Sequence, residues 1–244
     1  MPQGRYPQNA CPAHSHGVAC RADRTAAGGG QGGPAWDECV GLASTPDQRV
    51  KACSSVIETR SESGKRLAGA YCNRGHGLTE KRELDAALSD LDEAVRLAPD
   101  YACAYNNRGR VYSFKRDYDR AIADYDQAIN LDPSLALAYS NRGESRFNKG
   151  DLDGAFTDFD AAIKRDSNYA MAYGNRALVY YRKRDMAHAI ADYTMRIKLA
   201  PDLLAYIDRG NVYRDASSST APRPIMARPS ALRRPTHAAG AIAA

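Results

Sequence analysis

The segments GAYCNRG (69–75), CAYNNRG (103–109), LAYSNRG (137–143) and MAYGNRA (171–177) restate one motif every 34 residues and set Tyr71, Tyr105, Tyr139 and Tyr173 at constant spacing. Pro99, Pro133, Ser167 and Pro201 form a second column with the same period. Self-similarity of this length decides the architecture before local propensity does, because each unit can bury its apolar face only against its neighbours. The expected fold is all-α, a stack of helix pairs. The proline column stops each second helix, since the residue ahead of a proline is pushed out of helical geometry.

Numbering each unit from one to 34 exposes the packing logic. Residues 102–135 place Tyr105 at position 4, Gly109 at 8, Tyr112 at 11, Ala121 at 20, Tyr125 at 24, Ala128 at 27 and Pro133 at 32. Residues 68–101 repeat this with Tyr71, Gly75, Leu78, Ala87, Leu91, Ala94 and Pro99. Two antiparallel helices approach closely only where one offers Gly or Ala to a bulky side chain of the other. In these columns the chain resembles the tetratricopeptide repeat (TPR) family. The resemblance implies a right-handed superhelical solenoid of helix-turn-helix repeats over 66–214, with units 68–101, 102–135, 136–169 and 170–203 and a partial unit at 204–214. Three positions depart from the pattern: Arg146 at position 11, Ser167 at 32 and Arg196 at 27. They put local packing in question and leave the fold untouched.

Outside the repeats the composition changes. Residues 1–35 are rich in Gly, Pro, Ala, Gln and His and have no apolar period, so they are expected to be disordered. No charged start followed by an apolar run appears there, so on the sequence as given the chain stays in the cytoplasm or starts elsewhere. Trp36, Cys39, Val40, Val50, Cys53, Val56 and Ile57 lie in two short amphipathic stretches, giving a degenerate helical hairpin cap at 36–65. Tyr206, Arg209, Gly210 and Tyr213 restart the pattern one residue early, and a lone helix is expected to end near Asp215 and cover the last repeat. The tail 215–244, rich in Ala, Ser, Pro and Arg, is expected to be disordered, and it also fits a truncated or shifted reading frame.

The net charge of +5 is carried by the two ends, and residues 36–215 are close to neutral. A broad basic footprint for phosphate backbones is missing, so no nucleic-acid partner is expected. No apolar run approaches the ~20 residues needed to span a bilayer.

The candidate site is a column of amides at position 6: Asn73, Asn107, Asn141 and Asn175, with Asp208 in the partial unit and Asn106 beside it. In TPR proteins the first helix of each pair lines the concave surface, so the column resembles the asparagine ladder of the O-GlcNAc transferase superhelix, which holds extended peptides by their backbones. An amide suits this because it offers both a donor and an acceptor. The same column also fits packing between neighbouring helices, and both readings stand at this stage. Arg74, Arg108, Arg142, Arg176 and Arg209 form a parallel column, and Asp90, Asp124, Asp158 and Asp192 answer it at position 23, which points to ion pairs between packed helices. The carboxylate clamp of chaperone-tail receptors is disfavoured, because its Lys positions hold Cys72, Asn106, Ser140 and Gly174 here.

Little supports catalysis. Cys11, His14, His16 and Cys20 form a loose string whose spacing matches no common zinc module. No phosphate-binding loop, nucleophile elbow, zinc-protease or dinucleotide fingerprint occurs. No cofactor or metal is expected. The cap resembles an N-terminal segment of exported alphaproteobacterial TPR proteins, which implies a possible Cys39–Cys53 disulfide and a periplasmic site as the alternative compartment. The expected function is a non-catalytic scaffold that takes an extended peptide or helix of an unidentified protein in the concave groove. The alternative is an assembly module in which the repeats pack on another subunit.

Overall fold

The computed structural model describes residues 34–41, 45–60 and 62–220. The expectations of disorder for 1–35 and 215–244, like the Cys11 to Cys20 string, lie outside these ranges except at 34–35 and 215–220, which are helical because α1 starts at Pro34 and α11 runs on to Thr220. Among the described residues the chain is an all-helical solenoid. A cap of α1 (Pro34–Val40) and α2 (Pro46–Glu58) leads into four hairpins: α3 (Gly64–Glu80) with α4 (Leu84–Leu97), α5 (Ala102–Phe114) with α6 (Tyr118–Leu131), α7 (Ala136–Lys149) with α8 (Leu152–Arg165), and α9 (Ala170–Arg182) with α10 (Met186–Leu199). A single helix, α11 (Leu203–Thr220), closes the series. It runs past the expected stop at Asp215, because the first strong helix breaker after that point is Pro222.

The small-residue columns work as the sequence implies. A methyl group placed on Gly75 would lie 2.8 Å from Leu91, on Gly109 2.9 Å from Tyr125, and on Gly143 2.8 Å from Phe159. The helices of the first three pairs therefore touch at a glycine, with Leu91, Tyr125 and Phe159 filling the core beside it, and the buried Ala177 takes that place in the fourth. The second helix of three hairpins starts on an aspartate cap, with Asp117, Asp151 and Asp185 accepting from the backbone N–H groups of Arg120, Gly154 and His188.

The three departures from the repeat pattern have local answers. Where Ser167 replaces proline, α8 still ends at Arg165, and the Asp166 carboxylate accepts from the Asn168 N–H in the same turn that Asp132 makes with Ser134. Arg146 reaches Asp158 at 2.8 Å. Arg196 is buried, lies over Gly174, and bonds Asp202 at 3.1 Å and Asp208 at 3.2 Å. Each arginine occupies an apolar column because it has a carboxylate partner there and, for Arg196, a glycine that makes room.

Cys39 and Cys53 are joined by a disulfide that ties α1 to α2. With Ala52, Val56 and Ala70, they form a small core between the cap and α3. Cys72 is a free, buried thiol whose pKa is pushed up to about 12 by burial, against the opposing pull of the Asn107 amide.

Candidate functional site

The first helices of consecutive hairpins touch each other, α3 on α5, α5 on α7 and α7 on α9, while the second helices make no comparable contact among the described residues. The first helices therefore lie on the inner side of the curve and form one continuous wall. This wall is where the position 6 column sits.

The structure distributes that column unevenly. Asn73, Asn106 and Asn107 are buried, whereas Asn141, Asn175 and Asp208 are half-buried. Asn107 donates through Nδ2 to the Cys72 sulfur at 3.3 Å, and Asn141 donates through Nδ2 to Asn106 Oδ1 at 3.0 Å. Asn106 in turn donates to Asn107 Oδ1 at 3.4 Å. Each bond from a position 6 amide reaches back to position 5 of the preceding unit, so these side chains stitch the wall together. Asn73 follows the degenerate cap rather than a full unit, and its buried Nδ2 has no hydrogen-bond partner among the described residues. Asn175 makes no side-chain hydrogen bond among the described residues and keeps an exposed edge. Asp208 is drawn to Arg196, and burial raises its pKa above the usual carboxylate range even though the guanidinium pulls the other way.

The arginine column does more than its sequence spacing indicates. Arg74, Arg108 and Arg176 each grip the position 23 aspartate of their own unit through Nε and Nη2, at 2.7 and 2.7 Å, 2.9 and 2.8 Å, and 2.8 and 2.9 Å. Arg142 holds Asp158 in the same way. The remaining Nη1 crosses to position 25 of the preceding unit: Arg108 to Asp92 at 2.8 Å, Arg142 to Asp126 at 2.6 Å and Arg176 to Asp160 at 2.9 Å. One guanidinium thus clamps two second helices, and aspartates two residues apart serve different arginines because they leave the helix in different directions. At the ends the group that Nη1 reaches across to is a hydroxyl in place of a carboxylate. Arg74 reaches Ser54 in the cap, and Arg209 reaches Thr194. The column was visible in the sequence, but its double role was missed; the recurrence of Asp92, Asp126 and Asp160 was the signal. A second missed column links Lys115 to Asp85 at 2.5 Å, Lys149 to Asp119 and Lys183 to Asp153, again one unit back. These exposed pairs contribute only ~0.2–1 kcal/mol each.

Among the described residues no cluster of His, Cys, Asp and Glu could hold a metal ion, and no helix is long and apolar enough to cross a membrane.

Models of the tetratricopeptide repeat match residues 68–101 and 141–202, and a further model described as TPR repeat matches 115–150. No curated protein matches the chain significantly. Solved structures with the same fold include a chain of the APC/C hetero-tetramer Cut9–Hcn1, at TM-score 0.61 and 20% identity over 68% of this chain. The match spans about a third, 32%, of the length of that chain. A thermophilic TPR protein of Thermus thermophilus, TTC0263, aligns at TM-score 0.61 and 16% identity, covering 69% of this chain and 91% of its own. MamA aligns at TM-score 0.53 and 20% identity, covering 63% of this chain and 88% of its own. At these identities the likeness is one of fold.

Proposed function

The chain belongs to the tetratricopeptide repeat superfamily, and on that premise we propose that it is a non-catalytic scaffold holding an extended peptide or helix of another protein along the wall of α3, α5, α7 and α9. Proteins of this fold generally serve as protein-binding scaffolds. One observation carries the finer reading: the C-terminal half of the wall keeps polar and apolar groups open on one face. Leu137 and Asn141 on α7, and Met171, Asn175 and Leu178 on α9, are half-buried and recur at helical spacing. The Asn175 amide is uncommitted, and Asn141 spends only its donor, so both retain capacity for a peptide backbone. The asparagine ladder is thus proposed in a shortened form, at Asn141 and Asn175, with Asn107 serving the fold and Asn73 buried away from the groove.

The test compares Asn175→Ala with Asn107→Ala, using affinity capture to identify the partner and titration to measure it. Loss of the half-buried Asn175 amide weakens partner affinity by roughly threefold to tenfold, equivalent to ~0.5–1.5 kcal/mol, and leaves the melting temperature unchanged. Loss of the buried amide lowers the melting temperature. The bonds from Asn107 to Cys72 and from Asn141 to Asn106 favour a second reading, in which the column is packing throughout and the repeats act as an assembly module. Unchanged affinity in Asn175→Ala would select that second reading.

A further inference from the structure

α11 is a first helix without its second. Its inner side packs on α10 through Ala205 and Val212, which are 0% and 2% exposed. Its outer side carries Leu203 at 74%, Tyr206 at 50%, Ile207 at 46% and Tyr213 at 50% exposure. Gly210 occupies the position that receives Leu91, Tyr125 or Phe159 in the earlier hairpins, yet nothing lies within 4 Å of where its side chain would begin. A hole and several bulky apolar groups therefore sit together on one exposed face.

The residues that follow α11 do not continue the repeat pattern in sequence. The second helices α4, α6, α8 and α10 are 14 residues long. Pro222, Pro224, Pro229 and Pro235 leave no proline-free run of that length between Thr220 and Pro235. Among the described residues the disulfide-bonded cap at the opposite end exposes no large apolar side chain, so head-to-tail stacking of copies finds no matching face there.

The exposed face is complementary to itself. Leu203, Tyr206, Gly210 and Tyr213 are spaced three, four and three residues apart, an order that reads the same in both directions. When two copies of α11 lie antiparallel about Asp208, Tyr206 of each faces Gly210 of the other and Leu203 faces Tyr213. The same symmetry sets the exposed Arg214 of one copy beside the half-exposed Asp202 of the other. We propose that this face is the contact of a two-fold dimer, with α11 of one copy packed antiparallel on α11 of a second. A two-fold contact uses one patch twice and closes, so the product is a dimer and not a fibre. An 18-residue helix is about 27 Å long. One helix face falls short of the ~800 Å² per partner of a standard interface, which places the contact in the weak, transient class and sets the search at roughly 1 μM to 1 mM.

Sedimentation equilibrium on the full chain across that concentration range provides the test, with two variants. Gly210→Leu fills the hole without meeting any neighbour in the single chain, so the monomer keeps or raises its melting temperature while the dimer weakens at least ~tenfold. Tyr213→Asp places a charge against Leu203 of the second copy and has the same effect. A wild-type chain that stays monomeric throughout that range would overturn the proposal. A dimer that survives both variants would overturn it as well, by assigning the contact to another face.

Discussion

The two ends of the solenoid meet the same physical demand in opposite ways. A stack of repeats leaves an apolar face at each terminus that must be covered. At the N-terminal end two helices, a disulfide and a small core of Ala52, Cys53, Val56 and Ala70 close the face of α3. At the C-terminal end α11 covers α10 but presents a fresh apolar stripe of its own. Covalent closure at one end and a bare half-hairpin at the other show that a repeat cannot terminate itself. Something outside the repeating pattern has to do it, and among the described residues only the N-terminal end has it.

The largest effect expected from this contrast lies in the cap. Cys53→Ser removes a crosslink that closes a 14-residue separation and costs about 3 kcal/mol. Because stability in a solenoid passes between neighbours, hydrogen exchange should speed up in α1, α2 and α3 and stay unchanged in α9 to α11. Uniform acceleration along the chain would contradict a locally acting cap. The same bond favours an oxidising compartment for the working protein, a proposal that mass mapping of native material under non-reducing conditions decides.

Acid should act with opposite sign at the two ends. His76 packs against the cap, where its Nδ1 accepts from Arg49 at 3.2 Å. Its pKa is lowered to about 4 by burial and by the nearby Arg110 and Arg49 guanidiniums. The unfolded chain takes up this proton near pH 6.5, so the stability contributed by a neutral ring is present above that pH and is lost as pH falls toward 4. The loss is at most about 3 kcal/mol. Asp208 near the other end has a raised pKa, chiefly from burial, so its charged form weighs on the fold at neutral pH and protonation relieves it. Melting curves from pH 7 to pH 4 should flatten in His76→Gln, and Asp208→Asn should gain stability at neutral pH. An unaltered acid slope in His76→Gln would locate the sensitivity elsewhere.

The smallest expected effect serves as an internal reference. At the turn between paired helices, Gly150 has φ of 90°, while Arg82, Arg116 and Arg184 hold the same position at 65°, 61° and 65°. This left-handed geometry strains any side chain and suits glycine. Arg82→Gly and Arg184→Gly should therefore each raise stability by about 0.5–1 kcal/mol, and Gly150→Ala should lower it by a similar amount. Arg82 also lies 4.1 Å from the Phe114 ring, a contact Arg184 does not make among the described residues, so calorimetry should show the smaller gain at Arg82.

Most of the architecture follows from the sequence by itself. The 34-residue period, the facing Gly and aromatic columns, and the arginine column with its position 23 aspartates each repeat often enough that one packing solution satisfies them all. The period also places the amides on the inner helices. Which of those amides are spent was decided by the tertiary structure, because Asn73, Asn107, Asn141 and Asn175 carry the same label in sequence and differ only in what the preceding unit offers at position 5. Cys72 and Asn106 accept from their successors, and the cap gives Asn73 nothing to bond. The same limit applies to Arg146 and Arg196, which read as faults until Asp158, Asp202 and Gly174 are brought beside them. A period records what every unit shares. A partner reached through space is particular to one unit, and only the folded chain brings it within bonding distance.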